Sequence, residues 1–87
     1  MTIRSGNRKV VIDYPCLWHY TVIGSDEDAI RAAIADVTAG AGDITASRRS
    51  AAGKYVSLSV ALQVEDEHRR IAIYEALRKA PSVKMVL

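Results

Sequence analysis

The chain has 87 residues, 49% of them hydrophobic and 25% charged, with a formal net charge of +2. That length supports one core burying roughly 60–65% of the unfolded surface, which excludes a two-core architecture. The charge is too small to imply a polyanion partner by itself, and the single cysteine, Cys16, excludes an internal disulfide.

Residues 1–13 read as a flexible basic arm carrying Arg4, Arg8 and Lys9, with VVI at 10–12 as a candidate extra strand. Asp13 and Pro15 interrupt the arm before a signal-peptide apolar core forms, so no export is expected. The longest charge-free stretches, Tyr14 to Ser25 and Tyr55 to Val64, fall short of the ~18 apolar residues of a membrane span. A cytoplasmic protein without a membrane partner is expected.

Residues 14–87 then read as a single domain. From Leu17 to Ile23, Trp18, Tyr20 and Val22 share one face and Leu17, His19, Thr21 and Ile23 the other, the period of a strand. Gly24 ends it. Ser25 followed by Asp28 resembles a capping box, and Ile30, Ala33, Ile34 and Val37 form one helical stripe that Gly40 and Gly42 close. Asp43 to Arg49 predicts a short second strand and Ser50 to Gly53 a hairpin connection. Tyr55 to Val64 alternates most clearly: Val56, Leu58, Val60, Leu62 and Val64 face one way, Tyr55, Ser57, Ser59, Ala61 and Gln63 the other. A second helix runs from about Asp66 to Ala80, with Ile73, Ala76, Leu77 and Ala80 at helical spacing, until Pro81 stops it. SVKMVL closes the chain as a strand-like end.

The order is βαββαβ, which predicts a ferredoxin-like α+β fold: two helices on one face of a four-stranded antiparallel sheet. Trp18, Tyr20 and Val22 should meet Val56, Leu58 and Val60 beneath the helices. The uncovered face should carry His19, Thr21, Tyr55, Ser57 and Ser59. Asp26-Glu27-Asp28 and Glu65-Asp66-Glu67, each ahead of a helix, read as solvated helix ends that complement the dipole, not as metal sites.

The stretches YPCLWHYTVIG, SAAGKYVSLSV, IYEAL and VKMVL resemble the YbeD-like family of small bacterial proteins of unknown function, over about Tyr14 to Leu87. The resemblance implies a ferredoxin-like fold comparable with ACT regulatory domains, and a description as lipoate-related regulators. Tyr14, Pro15, Gly24, Ser50, Gly53, Tyr55, Ser57 and Met85 to Leu87 match the family pattern, and none has an assigned catalytic role. The chain departs in its longer basic arm, in Trp18 where members often carry Phe, and in Thr21 where lysine is common, which removes a charge from the open face.

Individual residues sharpen the exclusions. Cys16 and His19 form C-x-x-H, but strand parity sends them to opposite faces, and neither a metal set nor an activated thiol follows. His68, beside acids in the first helical turn, reads as a surface residue. RNA-recognition domains share this element order and stack bases on strand aromatics, yet here Trp18 and Tyr20 have core parity and the chain has no phenylalanine. RRSAAGK lacks Walker spacing and leads into a strand. No catalytic constellation can be placed on one face.

The expectation is a non-catalytic regulatory or ligand-binding module, with no metal and no cofactor. Candidate contacts to an unknown small molecule or partner protein are His19, Arg48, Arg49, Lys54, Tyr55 and Ser57. The alternatives are nucleic-acid binding through the basic hairpin and arm, and protein interaction or homo-oligomer assembly through an edge strand at VKMVL.

Overall fold

The computed structural model describes residues 13–50 and 52–87. The elements are β1 (Cys16–Gly24), α1 (Glu27–Thr38), β2 (Asp43–Arg49), β3 (Val56–Val64), α2 (Glu67–Lys79) and β4 (Met85–Val86). They form one antiparallel sheet in the order β2-β3-β1-β4 with both helices against one face, the ferredoxin-like α+β arrangement expected. The basic arm expected over residues 1–13, with its candidate strand at 10–12, lies outside the described residues except for Asp13.

The strand periods sort side chains as the alternation requires. Every even-numbered residue of β3 from Val56 to Val64 is buried, as are Tyr20 and Val22 of β1. Ile30 and Ile34 of α1 and Ile73 and Leu77 of α2 close over them. Each such aliphatic side chain contributes about 1.5–3 kcal/mol relative to exposure. The cross-strand partners differ from those expected: Trp18 meets Leu62, Tyr20 meets Val60 and Val22 meets Leu58. Full-length pairing of β1 with β3 sets this register, leaving Gly24 opposite Val56.

The helix ends also differ in detail. Asp26, not Ser25, caps α1: its backbone is extended and its Oδ1 accepts from the Ala29 N–H at 3.3 Å. Asp66 caps α2 in the same way, accepting from Arg69 N–H at 2.7 Å. A carboxylate capping oxygen also adds charge at the positive end of the dipole. The left-handed residue that ends α1 is Ala39 at φ 55°, ahead of Gly40 at φ 79°. Ala76, expected on the buried stripe of α2, is exposed, because α2 buries only Ile73 and Leu77 and turns half-buried Tyr74 towards the sheet.

The two edges are unequal. β2 is exposed along most of its length and has a register shift between Ile44 and Ala46, a bulge that interrupts the ladder. β4 is two residues long, although the Leu87 N–H donates to Thr21 O, the Thr21 N–H to Leu87 O, and the Lys84 N–H to Ile23 O.

Two glycine/alanine exchanges test this packing in opposite directions. A Cβ at Gly24 would lie 2.5 Å from the Ser82 carbonyl oxygen and 2.8 Å from Ile30 Cδ1, so Gly24→Ala should lower unfolding free energy by about 1–3 kcal/mol. Ala39→Gly should raise it by up to about 1 kcal/mol, because it relieves the left-handed penalty. Urea unfolding of both variants measures the two shifts.

Candidate functional site

The face of the sheet away from the helices is organised in rows. One row runs Met85, Ile23, Ser57, Arg48 across β4, β1, β3 and β2. Tyr55, one residue before β3, extends this end of the face. Its carbonyl accepts from the Ser50 N–H at 2.8 Å, while its own N–H donates to Ser50 Oγ at 3.2 Å. The turn between them depends on Gly53 at φ 72°, whose N–H donates to the Ser50 carbonyl at 2.8 Å.

Around this row the surface forms two adjoining depressions that share Ile23 and Tyr55. One, of about 240 Å³, is lined by Ile23, Arg48, Arg49, Ser50, Tyr55, Val56 and Ser57. The other, of about 280 Å³, is lined by Ile23, Tyr55, Lys84 and Met85. Tyr55 and Met85 are both exposed apolar side chains. Among the described residues neither Arg48 nor Lys84 has an acidic partner within 4.0 Å. The result is an apolar trough with a cation at each end, suited to an acid that has an apolar body.

The six residues singled out from the sequence do not all converge. Arg48, Tyr55 and Ser57 meet in the trough. Arg49 also borders the first depression, but it pairs across β2/β3 with core-facing Val56 and turns its guanidinium to the helix side, where Nη2 sits 3.4 Å from Glu27 Oε1 in α1. Lys54 is exposed in the turn and does not line the trough. His19 is exposed on the open face opposite Ala61, four residues and roughly 13 Å along β1 from Ile23. Ile23, Lys84 and Met85 were not selected from sequence. The parity of β1 already placed Ile23 on this face, whereas Lys84 and Met85 join it only through pairing with a strand more than sixty positions away.

A second cluster, on the helix side, had no local signal. Arg70 of α2 places its guanidinium 4.5 Å from the centre of the Trp18 ring and donates from Nε to the Tyr14 hydroxyl at 2.9 Å. Its Nη2 is 3.9 Å from Glu67 Oε2. The hydrogen bond to Tyr14 favours the charged guanidinium and raises its pKa. Beside it, Tyr20 donates its hydroxyl to the Arg70 carbonyl at 2.8 Å. Burial pushes the Tyr20 phenol above its ordinary value, partly offset by the positive Arg70. The expected split of the C-x-x-H pair also holds: Cys16 packs against the core and His19 is exposed on the other face.

The chain belongs to the DUF493 family, whose model, "Protein of unknown function (DUF493)", matches residues 9–87. No curated protein matches the chain significantly. It is similar to the solution structure of HP0495 from H. pylori, at 25% identity and a TM-score of 0.79, covering 99% of this chain and 96% of that one. A second solution structure of that Helicobacter pylori protein gives 26% identity and a TM-score of 0.61 over 95% and 98%. The ACT domain of the GTP pyrophosphokinase of Chlorobium tepidum shares the fold at 18% identity and a TM-score of 0.60, over 82% and 94%.

The Tyr20 hydroxyl gives a pH signature. Its folded-state pKa is raised, so its contribution to stability is complete below the unfolded value near 10 and is lost as pH rises through the folded value. Tyr20→Phe should cost about 0.5–1.5 kcal/mol at pH 7 through the lost bond. The wild-type advantage over Tyr20→Phe should shrink above about pH 10, as read from urea midpoints of both proteins between pH 7 and 11.

Proposed function

We propose that this DUF493-family domain is a non-catalytic regulatory module that binds a small acid in the open-face trough. The observation that carries the reading is the apolar floor of Ile23, Tyr55 and Met85 between Arg48 and Lys84. An anionic head would pair with one cation while a short apolar body covers the floor, a combination that a solvated basic patch alone does not offer. The finer likeness to YbeD-like proteins, with their lipoate-related description, belongs to this reading, since lipoate and octanoate have that amphiphilic form. So does ACT-like regulation, by analogy of fold. The non-catalytic part is supported by the placement of Cys16 and His19 on opposite faces, which separates the thiol from the imidazole that could activate it.

Base stacking is less well served by this face. Trp18 and Tyr20, the rings of β1, lie on the helix side, and Tyr55 is the one aromatic residue lining the trough. Among the described residues no helix is long and apolar enough to cross a membrane.

A thermal-shift series with octanoate, lipoate, inorganic phosphate and a uridine oligonucleotide tests the proposal. Octanoate or lipoate should raise the melting temperature in a concentration-dependent way, by roughly 10–20 °C at a hundredfold excess over Kd. Arg48→Gln together with Lys84→Gln should remove the shift. No response to either amphiphilic acid would sink the reading, and a salt-sensitive response to the oligonucleotide alone would replace it with nucleic-acid binding.

A further inference from the structure

We propose that the outer edge of β1 and the groove beside α2 form a docking site for an extended peptide that carries a carboxylate. The site is on the opposite side of the sheet from the acid trough and does not depend on it.

The two sides of β1 are unequally paired. On one side the strand pairs with β3 over its full length, from Cys16↔Val64 to Gly24↔Val56. On the other side, among the described residues, pairing runs only from Thr21 to Ile23, with bonds between Thr21 and Leu87 and between Ile23 and Lys84 around the short β4 ladder at Val22 and Ile23. Backbone groups along a strand alternate sides with a period of two, so Leu17 and His19 direct their N–H and C=O groups the same way as Thr21. Among the described residues no strand pairs with them there. An edge of this kind is a template for one more strand.

The side chains beside that edge suit the same occupant. Where the line of β4 ends at Leu87, a groove of about 290 Å³ opens between β1 and α2, lined by Trp18, Tyr20, Arg70, Ile71, Tyr74 and Leu87. Ile71 is 44% exposed and Leu87 68%, large apolar surfaces that an added strand would cover. Trp, Tyr and Arg are the residue types that concentrate binding energy at interfaces.

Arg70 sets the charge of the partner. Its side chain is only 22% exposed, and its acidic neighbour Glu67, at 3.9 Å, is itself 68% exposed. The Nε–H is committed to Tyr14 and the ring of Trp18 lies beneath the guanidinium, which fixes the fork in place at the groove wall. A carboxylate on the incoming strand could take the remaining donors in bidentate geometry, displacing a long contact with a short one. Recognition would therefore combine backbone pairing at Leu17 and His19, apolar contact at Ile71 and Tyr74, and charge at Arg70.

The test uses the full chain and N-acetylated, C-terminally amidated hexapeptides of alternating valine and threonine that end in glutamate or glutamine. Amide resonances of Leu17 and His19 and the Trp18 indole should shift on addition of the glutamate peptide, and exchange at Leu17 and His19 should slow towards that of Thr21. The glutamine peptide should bind about tenfold more weakly or worse. Arg70→Gln should erase that difference, and Ile71→Asp, at an exposed wall position, should weaken the glutamate peptide even if Arg70→Gln fails to fold. Absence of shifts at millimolar peptide, or equal affinity for the two peptides, would overturn the proposal. So would slow exchange at Leu17 and His19 in dilute peptide-free protein, which would mean that residues 1–12 of the chain or a second copy already hold the edge.

Discussion

The nine-residue antiparallel pairing of β1 with β3 is the constraint on which the rest of the molecule depends. Because side chains alternate across a strand, this one register decides two surfaces at once. It aligns Tyr20 with Val60 and Val22 with Leu58 beneath the helices, and in the same step aligns Thr21 with Ser59 and Ile23 with Ser57 on the uncovered face. A slip of one residue would move Val22 into water and Ile23 into the core. Among the described residues, nine core aliphatic side chains are essentially solvent-free, so such a slip is strongly disfavoured. The ladder therefore fixes Ile23, Ser57 and Arg48 in the trough, while Tyr55 is held beside them by the Ser50 turn.

Much of this was legible in the sequence, for an identifiable reason. Strands with one buried face announce themselves by period two, and β1 and β3 do so without interruption, so element order and face assignment followed directly. Helix caps were readable only to within one residue, since Ser25 and Asp26 are both good capping types and the choice depends on where the first turn closes. Ala76 carries no face signal, because alanine fits either side of a helix, and α2 buries Ile73 and Leu77 instead. Partners distant in the chain were the least accessible. Arg70 and Tyr14 are 56 positions apart, and nothing local to either signals the bond.

The same limit applies to the candidate site. Tyr55, Ser57 and Arg48 could be grouped from hairpin geometry, but Arg49 could not be separated from Arg48 until the ladder showed them on opposite faces. That separation gives the adjacent arginines different work. Exposed Arg49 tethers β2 to the first turn of α1 through half-buried Glu27, an interaction worth little on its own, while Arg48 keeps its charge available to the open face. Lys84 and Met85 enter through the β4 pairing, which makes the short closing strand part of the site as well as of the fold.

The claim that matters most is that the trough, and not some other part of the surface, receives the acid. A two-dimensional amide titration of the full chain with octanoate addresses it residue by residue. The account predicts saturable shifts at Ile23, Tyr55, Ser57 and Met85, with His19 and Gln63 at the far end of the same face unmoved. Shifts confined to the α2 groove, or scattered without saturation, would contradict it.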